Sequence, residues 1–164
     1  MAYHGVELQN SITIEKIFSI HYFEYMSNFS FAGESHNFWE FICVDKGEVG
    51  VTRGKSYTIL KKGDLIFHKP NEFHDVKATG GIAPNLVVIS FECNDDAMYF
   101  FNDRLLQIDE TERNLLANII IEARRCFDCR LDDPYLQNMP LKDPDTFGAQ
   151  QMIKLYLEHF LIHL

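Results

Sequence analysis

Basic residues are scarce in this chain of 164 residues: 15 Lys and Arg stand against 24 Asp and Glu, a formal net charge of −9. A surface this acidic is repelled by phosphate backbones and anionic membranes, which argues against a nucleic-acid-binding module within these residues. Long apolar runs are missing as well, so nothing reaches membrane-spanning length. Residues 1–20 place Glu7 and Glu15 where an export signal needs a basic stretch followed by an apolar one. Cysteine is limited to Cys43, Cys93, Cys126 and Cys129, which without an export signal read as reduced thiols of a cytoplasmic protein. There is no Ser, His and Asp arrangement of a hydrolase, no glycine loop for phosphate, no internal repeat and no low-complexity tract.

What is present is the composition of one globular domain, 46% hydrophobic and 24% charged. A domain of this size buries enough surface to need neither disulfides nor a structural metal. Short β-branched and aromatic runs at 17–25, 38–44, 48–53, 56–60, 64–68, 73–78 and 85–92 predict strands, separated by turns such as Asp45-Lys46-Gly47, Arg53-Gly54-Lys55 and Lys62-Gly63-Asp64. Strands at this spacing imply an antiparallel sandwich or barrel.

The period changes after a break near 94–104. A short helix is expected around 97–101, then a helix over 109–127, capped by Asp109 with Glu112 three residues on. A last helix is expected from Thr146 to Leu164, with Ile153, Leu157, Phe160 and Leu164 forming an apolar seam that packs on the earlier helix or across a dimer. Between the helices, 131–144 carries Pro134, Pro140 and Pro144 and reads as an irregular loop. The apolar pattern is still in phase at Leu164, so the chain reads as ending ahead of further sequence. The Cys126/Cys129 pair lacks the context of a redox or zinc motif, and His159 and His163 read as surface residues.

Chemistry concentrates in two segments. Along a strand, His36, Phe38 and Glu40 share one face, while Trp39 and Phe41 point to the other. If the strand ending near His74 is a neighbour, that imidazole joins them. A carboxylate facing inward requires a cation, a donor or a bound ligand, which makes Glu40 the most informative of the set. On the later strand, Leu86, Val88 and Ser90 form one face and Val87, Ile89 and Phe91 the other, and parity leaves open which points inward.

These segments resemble the paired motifs of the cupin family. The wording around them is closer still to the amino-terminal sensor domain of AraC-type transcriptional regulators: His36 to Phe41, Val44-Asp45-Lys46-Gly47-Glu48, Gly63 to Phe67 and Pro70-Asn71-Glu72-Phe73-His74. The resemblance covers about residues 31–92. It implies a mainly β fold, a cupin-like double-stranded β-barrel (jelly roll) over 1–94, followed over 95–164 by two dimerisation helices. It further implies a small-molecule effector, a sugar or related metabolite, bound by His36, Phe38, Glu40 and His74, with no enzymatic activity. DNA would be contacted only through a helix-turn-helix domain beyond these residues. Metal-binding cupins carry a histidine where this chain has Glu34, so Glu34, His36, Glu40 and His74 are the candidate ligands for a divalent ion such as Zn, Fe or Mn, and no cofactor is required. The alternatives are a stand-alone cupin metalloenzyme, a dioxygenase or sugar isomerase, and a pure dimerisation module whose barrel is filled by aromatics.

Overall fold

A computed structural model describes residues 1–79 and 81–164. Its elements run β1 (Lys16–Glu24), β2 (Ser30–Glu34), β3 (Trp39–Lys46), β4 (Glu48–Arg53), β5 (Ser56–Lys61), β6 (Asp64–His68), β7 (His74–Ala78), β8 (Asn85–Glu92), a 3₁₀ turn (Asp96–Phe101), β9 (Leu105–Gln107), α1 (Glu110–Cys126) and α2 (Ala149–His163). The strands form two antiparallel sheets, one in the order β1-β8-β3-β6-β9 and the other β2-β7-β4-β5. The mainly β architecture with C-terminal helices is therefore as expected. The short strands β2 and β9 are additions, each too brief to show a period of its own.

Alternation decides the layers. Trp39, Phe41 and Cys43 of β3, Leu65 and Phe67 of β6, and Val87, Ile89 and Phe91 of β8 share a core with both helices. Ile42 and Val44, Ile66, and Leu86 and Val88, from the same three strands, pack between the sheets with Val49, Val51, Leu60 and Val76. The parity left open on β8 is settled by these contacts, and Trp39 is packing, as its position predicted. The five-stranded sheet is thus covered on both faces, and its three inner strands β8, β3 and β6 are buried almost along their full length.

The capping box at α1 is present: Asp109 Oδ1 accepts from the backbone N–H of Thr111 at 2.7 Å, and Glu112 Oε2 accepts from that of Asp109 at 2.7 Å. Helix α2 starts at Ala149, three residues later than expected. The Thr146 hydroxyl donates to the Arg125 carbonyl at 2.9 Å, tying the segment to the end of α1 instead of capping α2. The seam is consumed inside the chain: Ile153, Leu157 and Phe160 are all buried in the core shared with the sheet and α1. His159 and His163 are exposed, as expected, and His163 also meets Glu112 at the start of α1. Among the described residues, no helix is long and apolar enough to cross a membrane.

Candidate functional site

Four strands place a polar row on the inner face of the five-stranded sheet. The registers Ser19↔Ser90, Glu40↔Ser90 and Glu40↔His68 line up β1, β8, β3 and β6. A bulge in β1 between Ile17 and Ser19 sets the first of these pairs. Ser19 Oγ donates to Ser90 Oγ at 2.9 Å, and Ser90 Oγ donates to Glu40 Oε2 at 2.6 Å. From the facing sheet comes His74, whose Nε2 lies 3.3 Å from Glu40 Oε1.

His36 and Phe38 reach the same place by a different route from the one alternation predicted. Both precede β3, in the β2–β3 connection. His36 Nδ1 lies 3.0 Å from the Phe38 carbonyl, and the two rings stack at 3.9 Å. The backbone N–H of Asn71, a residue with φ of 65°, donates to the His36 carbonyl at 2.6 Å. That bond ties the loop before His74 to the loop carrying His36. Across the site, Gly33 adopts φ of +94°, and a Cβ there would meet the His74 carbonyl at 2.7 Å. Only glycine permits this approach, which sets Glu34 opposite His74 in the register of β2 and β7.

Phe38 lies at the site, but its ring is the middle member of a stack, 3.9 Å from Phe18 on one side and 3.9 Å from His36 on the other. Both π faces are covered, so it offers the site its edge and not a stacking surface. His68, which no motif singles out, also belongs to this row. It is 0% exposed, stacks on His74 at 4.2 Å, and neither ring nitrogen has a hydrogen-bond partner. The available signal is that His68 shares the face of Ile66 in a strand apolar on both faces, where an imidazole is unusual.

Burial alone would raise the Glu40 carboxyl, but the facing His36 and His74 imidazoles outweigh it and hold it well below the usual carboxylate range. Burial opposes protonation of His74, and the Glu40 carboxylate overrides it, moving that imidazole up. His68 has no carboxylate so close and is pushed down to about 3 by burial. Burial also lowers His21, against the pull of Glu40.

Two connected chambers open beside this row. The inner one, of about 50 Å³, is walled by Tyr25, Phe29, Ile42, Val76, Leu86 and Val88; the outer one, of about 280 Å³, reaches Ser19, His36, Phe38 and Ser90. His21, Phe31, Glu34, Glu40 and Pro134 line both. The barrel centre is therefore filled mainly by aliphatic side chains together with Tyr25 and Phe29, and the larger space lies at the polar end. No Lys or Arg lines either chamber.

Glu34, His36, Glu40 and His74 each offer a ligand atom, all within 4.8 Å of one another. Both imidazoles have Nδ1 3.0 Å from a backbone carbonyl, of Phe38 and of Glu72, which makes that nitrogen the donor and turns Nε2 toward Glu40. Against a carboxylate each Nε2 requires a proton or a cation, so the neutral rings with the two carboxylates form a donor set that fits a borderline divalent ion. The four thiols carry no comparable chemistry. All are free, and burial moves each of them up, away from the reactive thiolate.

Fold and site together define a cupin-type jelly-roll domain with a polar ligand chamber at one end. The family model of the AraC-like ligand binding domain matches residues 18–100, half of the chain, and the chain belongs to that family. No curated protein matches it. Among solved structures, the cupin domain of Schizosaccharomyces pombe Cnp3 is 16% identical over 53% of this chain and 64% of that one, with a TM-score of 0.43. A cupin 2 conserved barrel domain protein from Rhodopseudomonas palustris is 18% identical over 63% of each chain, with a TM-score of 0.39. A predicted oxalate decarboxylase from Thermotoga maritima is 18% identical over 41% of this chain and 58% of that one, with a TM-score of 0.37. The chain spans less than two thirds of the length of each.

Proposed function

We propose that this chain is the effector-sensing and dimerisation part of a cytoplasmic AraC-type transcriptional regulator, with residues 1–94 holding a small molecule, residues 95–164 carrying the pairing helices, and no enzymatic step. The observation that carries this reading is a chamber whose buried polar atoms are incompletely satisfied: His21 Nδ1 has no hydrogen-bond partner, and His36 Nε2 and His74 Nε2 have only the Glu40 carboxylate, at 3.6 and 3.3 Å. Buried polar groups without partners are costly, and a ligand rich in hydroxyls satisfies them. Because Glu34 and Glu40 line the chamber with imidazoles as their only counterparts and neither Lys nor Arg does, an uncharged polyol such as a sugar suits it better than a carboxylate or phosphate. In this reading Glu40 accepts from a ligand hydroxyl, His36 and His74 complete the polar ring, and the edge of Phe38 closes one side.

A ligand that binds one arrangement of barrel and helices better than another shifts the population toward it. Since the predicted seam lies inside the chain, pairing of two copies through the helices would use the outward face of α2, where Leu155 and Ile162 are exposed. DNA would be read by a helix-turn-helix domain outside these residues.

The test is a thermal-shift screen of sugars and related polyols. A ligand present at a hundred times its Kd stabilises the fold by roughly 2.7 kcal/mol, an easily measured shift. Glu40→Gln keeps the volume and removes the charge, so calorimetric affinity for the hit is expected to fall by about 1–3 kcal/mol. Unchanged affinity in Glu40→Gln, His36→Ala and His74→Ala alike would move the effector elsewhere.

The second reading, a cupin metalloenzyme such as a dioxygenase or sugar isomerase, is favoured by one observation: two imidazoles and two carboxylates offer ligand atoms that converge within 4.8 Å of one another. Glu34, His36, Glu40 and His74 would hold the ion, which would polarise an oxygen of the ligand. Elemental analysis of untagged protein separates the two. Under the sensor reading metal is expected far below one equivalent; near-stoichiometric metal that disappears in His74→Ala would favour the enzyme.

A further inference from the structure

The residues lining the outer chamber are not confined to the barrel. Pro134, Tyr135, Leu136 and Gln137, from the connection between α1 and α2, line it too, and Pro134 reaches the inner chamber as well. All four lie outside the part of the chain that matches the family model.

The connection is fastened at both ends and laid across the mouth in the middle. At its neck, Asp128 N–H donates to the Pro140 carbonyl at 2.8 Å, Lys142 N–H donates to the Cys126 carbonyl at 2.9 Å, and Phe127 forms a bridge with Leu141. On the way to the mouth, the Tyr22 N–H of β1 donates to the Leu131 carbonyl at 2.9 Å. Leu131 is buried in the core shared by sheet and helices, and Met139 packs on that core from the other side of the loop. Between these anchors the tip is turned by Asp133, whose side chain accepts from Tyr135 N–H at 2.9 Å and whose carbonyl accepts from Leu136 N–H at 3.2 Å.

We infer that residues 134–137 are the outer wall of the ligand site, so that an effector in the chamber touches the segment joining the two helices. Size and polarity of the effector are then selected partly by Tyr135, Leu136 and Gln137. Occupancy reaches the α1–α2 neck through a short anchored loop instead of through the sheet. The inference rests on reading the chamber as an effector site, but its test needs no effector, so its failure leaves that reading standing.

The probe is diethylpyrocarbonate, which carbethoxylates accessible imidazole nitrogens. His36 has a side chain only 12% exposed and presents Nε2 to the chamber, whereas His4 and His159 are exposed and serve as references. Residues 134–137 lie outside the hydrophobic cores, so Pro134→Gly, Tyr135→Gly, Leu136→Gly and Gln137→Gly combined should leave the fold intact, with the fully buried His68 as the indicator of unfolding. Peptide mass analysis is expected to show His36 reacting about tenfold faster in the variant, with His4 and His159 unchanged. An unchanged His36 rate would overturn the proposal. A second measurement covers the case in which His68 also becomes reactive. Ser19→Phe projects a ring into the outer chamber from β1, and amide exchange across 128–142 is expected to rise about tenfold while the β4–β5 hairpin stays constant. Constant exchange across 128–142 would equally overturn it.

Discussion

Phe160→Ala is expected to destabilise the protein by about 3–5 kcal/mol, the range found when a fully buried aromatic ring is truncated to a methyl group. Phe160 is 0% exposed, and its ring lies 5.2 Å from that of Phe41, which in turn lies 5.5 Å from Phe67. These rings connect α2 to β3 and β6 through one core, which also contains Trp39, the single tryptophan. Urea unfolding followed by far-UV circular dichroism and by Trp39 fluorescence should therefore give coincident transitions, both shifted by the mutation. A helix signal that melted apart from Trp39 would show that the helices are attached to the barrel rather than part of its core. Leu155→Ala, on the exposed side of the same helix, is expected to change stability by no more than about 0.5 kcal/mol in the isolated chain.

A second large effect is expected from pH. In the unfolded chain the His68 imidazole takes up a proton near 6.5, whereas in the folded chain burial delays this until about 3. Between those values the unfolded state binds more protons, so stability is lost as pH falls through that window. At about 1.4 kcal/mol per pH unit the loss amounts to roughly 4–5 kcal/mol by the lower end. Glu40 acts in the same direction at lower pH: its depressed carboxyl contributes stability above the ordinary value of 4.5, and that contribution is lost as the group is protonated. His74, shifted upward, has the opposite sense. Its contribution is present below 6.5 and lost as pH rises through its folded value. His68→Phe keeps a flat ring against His74 and removes the titration, so urea midpoints measured from pH 7 to pH 4 should fall less steeply than in the wild type. An unchanged slope would mean that His68 is protonated in the folded protein.

Two histidines illustrate how far a linear pattern reaches. His74 stood out because it ends a phrase that also holds Gly63, Asp64 and Pro70. His68, six residues earlier, has only a strand pattern around it, although it is buried as fully as His74. A strand pattern gives the parity of its residues but not the identity of the face, and the meaning of an inward imidazole depends on what stands opposite. Here that is Glu40 across β3 and His74 across the gap between sheets.

Local periodicity and turn chemistry are enough for seven of the nine strands among the described residues, both long helices, the cap at Asp109 and the packing of Trp39 away from the site. The convergence of His36, Glu40 and His74 follows from the motif and its spacing, not from strand alternation, since His36 precedes β3. Tertiary structure alone decided the rest. Of the two places expected for the α2 seam, the earlier helix or a partner, the fold uses the first: the seam packs with α1 over the outer surface of the sheet, which is apolar from Trp39 to Phe91 and must be covered. Phe38 has no free ring face, because Phe18 comes to it from β1, twenty residues away along the chain. The wall supplied by residues 134–137 was invisible for the same reason. A proline-rich loop carries no period of its own, and its position is set by two distant anchors, Tyr22 on the barrel and the neck between the helices.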